Sequence, residues 1–210
     1  MFKKSFSPRF LCFLLILIFI SCSSRIPKID YSSKGNYQLD RYRYEVDLTK
    51  ITDDRAMVTL DCKGLNQDEV IFHFPKTIPG TYKELDYGEM IDSIIARDEN
   101  GKKLPSAKIS KNTFRISNAM NLSKINYWVN DSWDHPKAMS RIWPMGGTNI
   151  EDSLNFVLNA SGWFGFFDGL ESPPLEVSFI IPEGMSSFSA LPLIESEGQK
   201  IKFRARDYHH

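Results

Sequence analysis

The residues of this chain that could do chemistry are few, and their spacing suits no common catalytic centre. A hydrolytic zinc site needs two His on one helix face with a Glu between them, plus a third ligand. The four histidines, His73, His135, His209 and His210, contain no such pair. His209 and His210 are adjacent, so their rings diverge, and they stand at the chain end. Asp131, Asp134 and His135 place carboxylates beside an imidazole, the raw material of general acid–base catalysis. The same side chains are ordinary formers of Asx turns, and that is the expectation here. Ser161-Gly162 lies in no G-x-S-x-G elbow. Met145-Gly146-Gly147-Thr148 is too short for a phosphate loop and opens no helix, and Asp53-Asp54 is expected on a solvated turn between strands. The chain by itself reads as noncatalytic, with no metal or cofactor of its own.

Two other stretches are rich enough to bind something. Residues 159–169 carry Trp163, Phe164, Phe166 and Phe167. Aromatics alternating along a strand most often pack in a core or between domains, and an exposed set would serve as a docking or ligand face. Trp163, Phe164, Phe166 and Phe167 are therefore the candidate face for another domain, a peptide or a glycan. The second stretch is 70–82, where Val70, Phe72 and Phe74 alternate with Ile71, His73 and Pro75. Pro75 removes a ladder donor, and Pro79-Gly80 supplies a fixed φ followed by a residue tolerant of positive φ, the signature of a type II turn.

The N-terminus is read as an address. Lys3, Lys4 and Arg9 form a basic segment, and residues 10–20 are an unbroken apolar run ending at Ser21-Cys22. That run is shorter than the roughly 20 residues a membrane helix needs and has signal-peptide proportions. Phe19-Ile20-Ser21-Cys22 resembles a bacterial lipobox, with Phe19 in place of the usual Leu. Residues 1–21 are thus expected to be a signal peptide, Cys22 the lipid attachment point, and 22–36 a flexible tether. The expected location is the bacterial envelope, lipid-anchored, periplasmic or surface-exposed. Loss of Lys3, Lys4 and Arg9 would turn a formal net charge of zero into −3, and no Lys/Arg block is left to support nucleic-acid binding. With Cys12 removed and Cys22 lipidated, Cys62 has no intramolecular partner and is expected to be a buried, inert thiol.

Strand signals dominate the chain beyond residue 36. Alternation marks strands near 37–49, 56–61, 69–74, 90–96, 113–116, 124–129, 154–158, 163–167 and 175–181, with a final hairpin from 188–191 and 200–204. The 56–61 and 69–74 strands are expected to pair as an antiparallel hairpin, the simplest connection. Asp98-Glu99-Asn100-Gly101 is a hairpin turn. The alternation lapses from 130 to 149, with one helical turn expected near 137–141. The fold class is all-β, an antiparallel sandwich or saddle-shaped sheet, occupying residues 37–207.

The order of these pieces resembles the N-terminal β domain of the glycyl-aminopeptidase-type, thermolysin-like zinc metallopeptidases. The resemblance rests on Tyr44-Glu-Val-Asp-Leu48, the corner Pro75-Lys-Thr-Ile-Pro79-Gly80-Thr-Tyr82, Leu85-Asp86-Tyr87 and the Asp98–Gly101 turn. It continues through Tyr127-Trp-Val129, the aromatic run 159–169, Pro174-Leu-Glu-Val-Ser-Phe179 and Ala190-Leu-Pro192. It implies a noncatalytic domain whose partner is a zinc-bearing catalytic domain, in cis or in trans, and which walls one side of a peptide cleft. Pro75, Pro79, Gly80 and Tyr82 would be the family's structural corner, and residues 208–210 the start of a missing or truncated downstream domain. A stand-alone surface lipoprotein binding peptide or glycan through an aromatic face is the alternative.

Overall fold

The computed structural model describes residues 39–136, 138 and 142–210. The expected signal peptide (1–21), the expected lipid attachment point Cys22 and the expected tether (22–36) lie outside the described residues, as does most of the helical turn expected at 137–141.

Strand β1 (Tyr42–Asp47) buries alternate side chains, Tyr42, Tyr44 and Val46, and β2 (Arg55–Asp61) does the same with Ala56, Val58 and Leu60. They meet across Asp53-Asp54, both at φ near +50°. Thr52 and Arg55 exchange backbone hydrogen bonds there, the left-handed pair whose twist suits a two-residue hairpin. The same sheet gains β4 (Ile91–Arg97), β7 (Lys124–Asn130), β11 (Leu175–Ile180), β12 (Leu193–Glu197) and β13 (Lys200–Ala205), in the order β12-β13-β11-β1-β2-β7-β4. A second sheet has β10 (Phe166–Phe167), β3 (Glu69–His73), β6 (Thr113–Ser117) and β5 (Ser106–Lys108), in the order β10-β3-β6-β5. The hairpin β8 (Asn149–Glu151) and β9 (Asn155–Val157) stands apart. The fold is all-β, apart from short 3-10 turns and the four-residue helix α1 (Ala160–Trp163).

Besides adding β5 and β8, which no alternation marked, the structure departs from the sequence expectations in four places. First, β3 does not pair with β2. Both edges of β2 are taken by β1 and β7, so the chain crosses to the other sheet. There Val70, Phe72 and Phe74 are buried, and both phenylalanines pack against Tyr127 of the first sheet. Second, the sheets are not wholly antiparallel: β1 and β11 run parallel from Tyr42 opposite Leu175 to Asp47 opposite Ile180. The whole middle of the domain serves as the long crossover that parallel neighbours require. Third, 163–167 is not one strand, because α1 ends at Trp163 and β10 has only two residues. Fourth, the last hairpin opens at Leu193, not at 188, and turns through Gly198 at φ +56°.

The core lies between the two sheets and is unusually aromatic. Phe72 packs edge-on to Phe74 at 5.4 Å and against Phe167 at 5.2 Å, while Phe74 meets Tyr127 edge-on at 5.3 Å. Such offset and edge geometries place the positive ring edge on the negative ring face. Cys62 is buried, its thiol facing the Ser123 carbonyl at 3.7 Å. Burial pushes that thiol well above its ordinary pKa, so it is protonated and unreactive.

Candidate functional site: an exposed apolar platform on a buried polar frame

The aromatic run expected to present a face is largely inside. Trp163 and Phe167 have no exposed surface and Phe164 is buried; Phe166 alone is half-buried. The reason is hydrogen bonding. Outside the two-residue β10, residues 163–170 have no strand or helix partners for their carbonyls, which would be left unpaired if buried. Tyrosine hydroxyls from the first sheet satisfy them: Tyr127 donates to Trp163 O at 2.6 Å, Tyr44 to Gly165 O and Tyr42 to Leu170 O at 2.8 Å. Tyr208, one residue beyond the expected domain boundary, donates to Phe164 O at 2.7 Å and lays its ring 4.5 Å from Phe166. Gly165 is required here, since a Cβ would stand 2.5 Å from the Phe72 ring and 2.6 Å from the His73 carbonyl. Burial raises the Tyr44 and Tyr127 hydroxyls well above their ordinary pKa, so they stay protonated donors. The candidate docking face at 163–167 is therefore corrected to core, Phe166 being its only half-exposed ring.

A group of exposed apolar residues comes instead from the segment 130–149, in which strand alternation lapses, and from the β8–β9 hairpin that follows it. Trp133, Trp143, Met145, Leu154 and Val157 are exposed, with Met145 at 91%. A buried carboxylate organises this segment. Asp131 takes the Trp133 amide on Oδ1 at 2.6 Å and the Ile150 amide on Oδ2. Burial pushes its carboxyl above the ordinary range, opposed by these backbone N–H donors. Ser132 and Thr148 are bonded three times: the Ser132 amide and hydroxyl donate to Thr148 O at 3.0 and 3.2 Å, and the Thr148 amide donates to Ser132 Oγ at 2.7 Å. Thr148 Oγ1 in turn accepts the indole N–H of core Trp163 at 2.6 Å. The indole of Trp133 donates to Pro144 O at 3.0 Å. Asp131 is thus the Asx-type turn former that its sequence context suggests, joined to the core rather than poised for proton transfer.

The Pro-Gly corner adjoins this platform. Ile78-Pro79-Gly80-Thr81 forms the expected turn, with Gly80 at φ +85° and the Thr81 amide 3.3 Å from Ile78 O. Pro75 O accepts the Tyr87 amide at 3.2 Å, and the Tyr87 hydroxyl reaches Gly146 O at 2.5 Å. Lys83 Nζ lies 5.9 Å from the centre of the Trp143 ring, within cation–π range. Tyr82, assigned by sequence to a structural corner, is fully exposed at 101%.

The remaining candidates gather nothing. Among the described residues no three His, Cys, Asp or Glu side chains group as a metal ion would need, so these residues do not fit a zinc centre. His73 stacks on Phe166 and buries Nε2 without a hydrogen bond, 3.9 Å from Asp168. Desolvation lowers its pKa, which keeps it neutral. A cleft of about 290 Å³ between β4 and β5 is lined chiefly by Asp92, Ser93, Ser106 and Lys108, with Phe114 as its ring. A second exposed apolar group, Phe188, Leu193 and Ile194, lies on and before the outer strand β12. Sequence reasoning missed the platform because a segment without period gives no inside and outside. The signal it did carry was Trp133 and Trp143 flanked by Pro136, Pro144, Gly146 and Gly147, bulky apolar residues in a stretch with turn chemistry.

A known structure shares this architecture. An aminopeptidase N family protein from Idiomarina loihiensis aligns with a TM-score of 0.60 and 22% identity over 80% of this chain, which spans only 27% of that protein. A variant M1 zinc metallopeptidase from Deinococcus radiodurans aligns over 80% of this chain and 38% of its own, at 13% identity and a TM-score of 0.45. No curated protein matches. The family model described as the peptidase M61 N-terminal domain matches residues 43–210, which takes in the double sheet except Tyr42, together with the corner and the platform. The chain belongs to the family of peptidase M61 N-terminal domains.

Proposed function

We propose that this chain acts as the noncatalytic N-terminal domain of a zinc aminopeptidase, docking a catalytic domain and walling one side of its peptide cleft. The observation that carries this reading is the platform. Exposed tryptophans and methionine are held by a buried network that fixes their positions, at a site where a monomer gains nothing from exposing them. The reading places zinc and the catalytic histidines in the catalytic domain, in the same polypeptide or in a separate one. Lipidation at Cys22 would tether the assembly to the bacterial envelope, with 22–36 as the spacer, periplasmic or surface-exposed.

Size is the first test. An antibody raised against residues 37–207 should detect, in membranes of the source cell, a species more than twice the 24.2 kDa of this chain, or a species of this size that co-purifies with a zinc peptidase. A band at the size of this chain with no peptidase attached would overturn the reading. It would favour the stand-alone lipoprotein, with the exposed Trp133 and Trp143 as its ligand face. Trp143→Glu combined with Met145→Glu should separate the catalytic partner while leaving the melting temperature of the domain nearly unchanged. Metabolic labelling with a fatty acid, lost in Cys22→Ser, tests the anchor.

A further inference from the structure

The loop 76–85 holds an aromatic side chain in solvent by a backbone conformation that opposes it. Among the described residues, seven non-glycine residues have positive φ: Asp53, Asp54, Tyr82, Asp86, Ser93, Asn118 and Ser153. Six are Asp, Asn or Ser, which tolerate that region because their short polar side chains bond locally. Tyr82, at φ +50°, is the bulky exception, and it is fully exposed, so no packing compensates for the strain. Strain that packing does not repay is a mark of function.

The loop that carries Tyr82 is closed and stiff. At its neck Lys76 O accepts the amides of Leu85 and Asp86 at 2.7 and 3.0 Å, and Lys76 Nζ pairs with Glu84 at 2.7 Å. Inside, Thr77 Oγ1 donates to Lys83 O at 2.9 Å and Thr81 Oγ1 to Ile78 O at 2.8 Å, while Ile78 packs on the core. Below, the buried Asp86 carboxylate receives Asn112 Nδ2 at 2.8 Å and Lys111 Nζ at 3.0 Å. A floppy loop would relax Tyr82 to negative φ; this one is bonded on both sides of it. Compact loops of this kind, with ends close together, are frequently functional. A tyrosine on a fixed backbone has only two side-chain torsions to order, so it loses little entropy when it is buried in a partner.

We propose that Tyr82 is the anchor of the docking surface, inserting into an apolar pocket with a hydroxyl acceptor on the catalytic domain while the neighbouring Trp143 and Met145 cover the rim. This rests on the docking reading above. The occupant is the catalytic domain because the loop is joined to the platform through Tyr87, Gly146 and the Lys83–Trp143 contact, and because the aligned aminopeptidase continues well beyond the 27% of its length that this chain spans.

The test places a photo-crosslinking phenylalanine analogue at position 82 and, separately, at 145, in the chain expressed from its own locus. Both should crosslink to peptides of a thermolysin-like catalytic sequence. Introducing Tyr82→Asn should cut the crosslink yield from 145 at least about tenfold, the loss typical of a central anchor. It should also melt no lower than the unmodified protein, since Asn accepts positive φ. Crosslinks from 145 but not from 82, or an undiminished yield in Tyr82→Asn, would overturn the anchor and leave the docking reading standing. A lowered melting temperature would mark Tyr82 as structural and overturn the anchor as well. No peptidase peptide from either position would overturn both.

Discussion

Two aromatic segments of this domain have similar composition and opposite fates. Residues 163–167 hold Trp163, Phe164, Phe166 and Phe167, and all but Phe166 are buried. Residues 133–145 hold Trp133, Trp143 and Met145, all exposed. The difference lies in what their polar atoms find. The buried run lies under tyrosine hydroxyls that cap its irregular carbonyls. The exposed run is anchored at its two ends, where Asp131 takes the Trp133 amide and where Ser132 and Thr148 are bonded to each other, and its tryptophans and methionine stay outward. A tryptophan is not core or surface by type; its backbone partners decide.

Substitution should separate the two segments sharply. Trp163→Ala removes a fully buried indole and its bond to Thr148, and should cost about 4 kcal/mol in denaturant unfolding. Trp143→Ala should cost under about 1 kcal/mol, as for surface sites, and equal costs would break the comparison. Next in size, Tyr44→Phe leaves Gly165 O buried without its donor and should cost about 2 kcal/mol. Asp131→Ala should cost about as much but act locally. Hydrogen exchange should quicken at the amides of Trp133 and Ile150 while those of β1 and β2 keep their relative protection, and uniform loss would deny that Asp131 holds the platform.

The smallest effect concerns pH. His73 has a pKa lowered from its ordinary 6.5, desolvation outweighing the pull of Asp168 and Glu171. The unfolded chain therefore takes the proton first. Its stabilising contribution is complete above pH 6.5 and is lost as pH falls through the depressed native value. In His73→Phe that part of the pH dependence of melting should flatten; an unchanged slope would mean Nε2 is not desolvated.

Much of the double sheet was legible in the chain because alternation reports burial directly. Tyr42, Tyr44 and Val46, or Val70, Phe72 and Phe74, can face a core on one side only. Gly80 and Asp98–Gly101 were legible because few residues accept the backbone their turns require. Pairing was not legible: nothing in 56–61 or 69–74 states that β2 already has two neighbours. The platform was hidden for a related reason, since residues 130–149 have no period to read.

By itself, then, the sequence determined most of the longer strands, their inward faces and the Pro-Gly turn, all set by local stereochemistry and a two-residue period. Only the tertiary structure decided that β1 and β11 lie parallel, that the 163–167 aromatics go inside and that Tyr82 stands in solvent. Each of these depends on hydrogen-bond partners brought together from distant parts of the chain, which no local pattern encodes.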